Sequence, residues 1–77
     1  MDANETLKIL SKQWANVHDI VAITGFKKSK AYEIIRDMRN ELISQGYMLP
    51  KGLIPMDIIV EKFKINIDYL ERMKNNV

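Results

Sequence analysis

The chain contains no cysteine, one histidine, three glycines and two prolines among its 77 residues. Without thiols, neither a disulfide framework nor a thiolate metal site can form. Secreted domains this short usually need such a staple, so the expected setting is reducing and cytoplasmic. His18 has no second His and no Cys to complete a ligand set, and it reads as a plain surface residue, with no metal expected. Repeats, low-complexity tracts and Ser/Gly linkers are all missing, which excludes a linker-rich or fibrous chain. No apolar run approaches the roughly 20 residues needed to span a bilayer. The opening Met1-Asp2-Ala3-Asn4-Glu5 lacks the basic n-region and apolar h-region of a signal peptide, so a soluble protein is expected. Charge of either sign is scarce in excess: 12 Lys and Arg face 10 Asp and Glu, a net of +2. The length allows one small domain, which buries only about 60% of its unfolded surface, and a deep enclosed substrate cavity is not expected.

What is present is helical periodicity punctuated by those few glycines and prolines. Leu7, Leu10 and Trp14 recur at spacings of three and four after Asn4, which is placed to cap a helix over 4–13; Thr6–Leu10 also fits a strand. Asn16 and Asp19 stand three apart, as a capping box requires, before Ile20, Val21 and Ile23, and predict a helix over 17–24. Gly25 follows, where a left-handed backbone ends the helix without a Cβ penalty. Ala31, Ile34, Ile35, Met38 and Leu42 then predict the longest helix, over 28–45, with Gly46 just past its end. Tyr47-Met48-Leu49 and Leu53-Ile54 flank Pro50-Lys51-Gly52 and read as a small hairpin. Pro55 takes the first position of a helix running to about Lys64, and Asn66 caps a last one carrying Ile67, Tyr69, Leu70 and Met73.

A helix, a tight Gly-containing turn and a longer second helix form the helix-turn-helix unit, whose second helix lies in the DNA major groove. Ile20, Phe26, Ala31 and Ile34 are expected to supply the inner face, the small Ala31 letting the two helices cross closely. Charge gives a second argument. Lys27 to Arg39 holds five basic residues (Lys27, Lys28, Lys30, Arg36, Arg39) against Glu33 and Asp37, while the remainder of the chain holds seven basic and eight acidic residues. The positive excess therefore sits on the second helix, the footprint expected of a DNA-binding surface.

Over Val17–Phe63 the sequence resembles small excisionase-like and MerR-like winged helix-turn-helix proteins of bacteria and phages. The likeness is carried by Asp19-Ile-Val-Ala-Ile-Thr-Gly25, Ser29–Arg36, Gly46-Tyr47 and Gly52-Leu53-Ile54-Pro55. Leu53 stands beside the wing Gly where many relatives have Arg. The resemblance implies a winged helix-turn-helix, and together with the periodicity the expected architecture is mainly α: an N-terminal helix or arm (1–15), a helix-turn-helix (16–46), a β-hairpin wing (47–54) and C-terminal helices (55–77). It places DNA contacts at Lys27, Lys28, Ser29, Lys30, Tyr32, Glu33 and Arg36, with Lys51 in the wing.

Chemistry divides these residues. Lys27, Lys28 and Lys30, with Ser29 and the first-turn N–H groups, suit phosphates and give affinity without sequence choice. Arg36 and the Tyr32 tip suit base edges, since an Arg fork on guanine contributes roughly 1–3 kcal/mol of discrimination. Glu33 can accept from cytosine N4 or pair along its own helix. Trp14 and the methionines read as packing. Ser11, Ser29 and Ser44 lack a nucleophile elbow or triad partners and the carboxylates are scattered, so neither an enzyme, a cofactor nor a small-molecule substrate is expected. Two readings of function remain. In the first, a small transcriptional regulator or excisionase-like protein binds double-stranded DNA and dimerises through its apolar C-terminal helices. In the second, the same fold binds a replication, recombination or repressor protein.

Overall fold

Five helices and two short strands make up the computed structural model, which describes residues 2–75. The first helix, α1 (Ala3–Leu10), is capped by Asp2, whose Oδ1 accepts from Glu5 N at 2.8 Å. Asn4, the expected cap, lies inside the first turn, because the carboxylate two residues earlier already serves that amide. The helix stops at Leu10 rather than Gln13, since Gln13 O must accept from Met56 N at 2.8 Å next to the strand pair.

That pair joins β1 (Trp14–Ala15) to β2 (Ile54–Pro55), antiparallel, with Trp14 opposite Pro55 and Ala15 opposite Ile54. The small antiparallel element expected of the fold is thus present, but its strands come from distant parts of the chain. Tyr47–Leu49 forms no strand. Its first residue closes the preceding helix instead: Gly46 N bonds Ile43 O and Tyr47 N bonds Leu42 O, each at 3.0 Å, with Gly46 at φ +96°. This pair of hydrogen bonds around a left-handed residue satisfies carbonyls in the last turn of the helix and leaves the wing, 47–54, as a loop that straightens only at Ile54.

Helices α2 (Val17–Thr24) and α3 (Lys28–Ser44) pack on each other around fully buried Ile20 and Ala31. Ile35 and Leu42 are buried, and Ile34 and Met38 half-buried. Phe26, expected on the inner face, is 40% exposed, its ring 6.5 Å from that of Phe63. The left-handed Gly25 swings the chain away from the core before Phe26 is reached. Pro55 belongs to β2 and precedes α4 (Met56–Lys62) as its cap, one position earlier than expected. The helix ends at Lys62 because Lys64 turns left-handed, at φ +54°, and Ile65 N bonds back to Val60 O at 3.0 Å. Asn66 caps α5 (Ile67–Asn75) through Tyr69 N at 2.9 Å, and α5 packs along α1.

The core is one thin layer in which Ile20, Ile54 and Ile59 are the largest fully buried side chains. Met56 is buried, while Trp14 is half-buried in β1. Among the described residues no helix is long and apolar enough to cross a membrane.

Candidate nucleic-acid interface

The turn between α2 and α3 is three residues, Gly25-Phe26-Lys27. Gly25 sits at φ +76°, and its N–H bonds Val21 O at 2.9 Å. Thr24 locks the turn from the other side: its hydroxyl donates to Ile20 O at 2.6 Å and accepts from Phe26 N at 3.1 Å. One threonine thereby ties the last turn of α2 to the chain entering α3, a role its i−4 and i+2 reach could have suggested.

The two helices start differently. At α2, Asn16 Oδ1 accepts from Asp19 N at 2.9 Å, and Asp19 Oδ2 accepts from Asn16 N at 3.0 Å. Lys12 Nζ closes on the same carboxylate at 2.8 and 3.0 Å, and Asp19 is only 7% exposed. At α3, Lys27 occupies the cap position with no side-chain cap, and no acidic residue stands in the first turn. The first N–H groups of a helix have no intrahelical partner and carry the positive end of its dipole. Here they are surrounded by Lys27, Lys28, Ser29 and Lys30, all exposed.

Farther along α3, Tyr32, Glu33 and Arg36 are exposed on the outer face. Lys30 lies 3.8 Å from Glu33, and Arg36 reaches Asp37 at 3.2 Å, both pairs open to water. Such surface pairs contribute about 0–1 kcal/mol, so a phosphate or a base edge can displace them. Glu33 is thus placed to temper Lys30, one of the two roles open to it. Arg39 departs from the expected pattern of free cations. Its Nη1 donates to the carbonyls of Pro50 and of Leu53, the latter at 2.7 Å, and the side chain is held against the loop. Lys51 lies exposed between those two carbonyls, in a turn closed by Leu53 N to Pro50 O at 3.3 Å with Gly52 at φ +72°.

The structure therefore gathers Lys27, Lys28, Ser29 and Lys30 at one end of α3, puts Tyr32, Glu33 and Arg36 along its outer face, and brings Lys51 to that helix through Arg39. Thr24, Lys12 and Arg39 are the contributors that periodicity does not reveal. Elsewhere, a groove of about 610 Å³ runs beside Leu10, Trp14, Tyr47, Pro55, Ile58 and Ile67, and none of its lining belongs to α2 or α3. Among the described residues no three His, Asp or Glu side chains converge as a metal ion would need. Comparison with family models, curated proteins and solved structures returns no match.

Proposed function

We propose that the chain binds double-stranded DNA, with the outer face of α3 in the major groove, as a small cytoplasmic transcriptional regulator or an excisionase-like protein of a phage or mobile element rather than an enzyme. The observation that carries this reading is the start of α3: an uncapped helix end, free of carboxylates and ringed by three exposed lysines, presented by a helix-turn-helix. Helix N-termini of this kind bind phosphate through backbone N–H groups and dipole together. Tyr32 and Arg36 follow on the face that would meet base edges, and Lys51 adds a cation from the loop.

Fluorescence anisotropy with a random duplex tests the reading. Four or five phosphate contacts give affinity that falls with salt at a log–log slope of about −4. Arg36→Ala combined with Lys28→Ala is expected to weaken binding at least tenfold. Failure to bind at low salt, or indifference to this pair of substitutions, overturns DNA binding in favour of a protein partner. One palindromic target would mark a regulator, and several closely spaced sites with bending an excisionase-like role.

A second observation supports self-association. Tyr69 and Met73, one helical turn apart on α5, remain 53% and 42% exposed, although Ile59, Phe63 and Leu70 are drawn into the core or packed against it. Single DNA-reading modules bury little surface, and a dimer extends it. Sedimentation at micromolar concentration, with and without duplex, is expected to show a dimer that Tyr69→Glu disrupts; a strict monomer under both conditions removes this part.

A further inference from the structure

We infer that Arg39 is a positioning residue that fixes the Lys51 turn against the outer edge of α3, so that the surface has two cationic ends instead of one. The inference rests on the DNA reading above and concerns how that surface is assembled. Arg39 follows Arg36 by three residues and Tyr32 by seven, which places it on the same stripe of the helix. Its charge is nevertheless turned inward. Nη1 bonds the carbonyls at both ends of the Pro50–Leu53 turn, and the side chain is half-buried there.

Three features show that the clamp has work to do. The chain from Tyr47 to Leu53 belongs to no strand, so no ladder holds it. Met48 is 94% exposed and anchors nothing, which leaves half-buried Leu49 as the loop's contact with the core. Gly52 is left-handed with open space where a Cβ would stand, so nothing at that position packs the turn against its surroundings. Arg39, whose planar fork suits two acceptors at once, supplies the missing constraint. At 1.5 Å per residue, Lys28 and Arg39 are separated by about 16 Å along the axis, somewhat more than the roughly 12 Å width of a major groove. Cations at 27–30 and at Lys51 can thus meet phosphates on either side of the bases facing Tyr32 and Arg36.

A double-mutant cycle separates a clamp from a direct phosphate contact. Duplex binding is measured against salt for Arg39→Met, Lys51→Met and the double variant. If Arg39 acts through Lys51, each single change weakens binding roughly three- to tenfold and lowers the salt slope by about 0.9, and the double variant loses no more. Additive losses, with a slope change of about 1.8, would mean that Arg39 itself contacts phosphate, and an inert Lys51→Met would mean that the turn does not; either overturns the inference. Trypsin cleavage after Lys51 in the free native protein is expected to accelerate severalfold in Arg39→Met, and an unchanged rate contradicts the clamp. Should Arg39→Met not fold, Gly52→Val strains the same turn with both cations retained and is expected to lower the slope equally; an unchanged slope there also overturns it. A wild-type chain that ignores duplex DNA removes the DNA reading itself, whereas one that binds with an additive cycle removes only the clamp.

Discussion

The N-termini of α2 and α3 lie within one helix-turn-helix, their cap positions Asn16 and Lys27 eleven residues apart, and they are built in opposite ways. At α2 the helix start is closed by side chains: Asn16 and Asp19 bond reciprocally, and Lys12 neutralises the carboxylate from outside. At α3 the equivalent position is a lysine, and the first turn has neither cap nor acid. An N-cap side chain contributes about 1 kcal/mol, so the bare start forgoes stability that a Ser or Asp at position 27 would supply. One helix start is closed by side chains, and its neighbour has no side-chain cap. The same contrast appears among the cations, where Arg39 and Lys12 hold the fold together while Lys27, Lys28, Lys30 and Lys51 face solvent.

Three substitutions probe this contrast, in decreasing order of effect on stability. Asp19→Ala removes a carboxylate that bonds both a backbone amide and Lys12, and is expected to destabilise the fold by about 2–3 kcal/mol in urea unfolding while duplex affinity per folded molecule stays the same. A loss of affinity without a loss of stability would put α2, not α3, at the DNA. Asn16→Ala leaves Asp19 N without its acceptor and should cost about 1 kcal/mol, again without touching binding. Lys27→Asp gives α3 the cap it lacks. Thermal denaturation is expected to show a gain of roughly 0.5–1 kcal/mol, and anisotropy a loss of affinity well beyond tenfold. Opposite signs in the two assays are the signature of a helix start kept open for a ligand; equal affinities would dissolve the distinction between the two ends.

Legibility from the sequence followed the range of the interactions. The α2 start and the turn were readable because Asn16, Asp19 and Gly25 act within three or four residues of their partners, and the end of α3 at Gly46 was readable for the same reason. Strand pairing was not, because two-residue strands carry no alternation and Trp14–Ala15 meets Ile54–Pro55 across the whole of α2 and α3. Tyr47–Leu49 has the composition of an extended run, yet Tyr47 closes α3 and the first strand of the antiparallel pair is Trp14–Ala15. Phe26 lies outside the inner face although it is apolar, because apolar character says nothing about where the left-handed Gly25 points the chain. At the candidate surface, Lys27, Lys28, Ser29, Lys30, Tyr32, Glu33, Arg36 and Lys51, the positions that the resemblance implies, are all exposed. Arg39 could not be distinguished from them, since its acceptors are backbone carbonyls eleven and fourteen residues away.

The most direct test of an open, anion-binding start to α3 is a map of backbone amide shifts as a short duplex is titrated into labelled protein. The expected result is that the amides of Lys28, Ser29, Lys30 and Tyr32 move most, with Lys51 and Gly52 following, while Asn16 to Asp19 stay in place. Shifts confined to α5 and the groove beside Trp14, with the start of α3 unmoved, would contradict it.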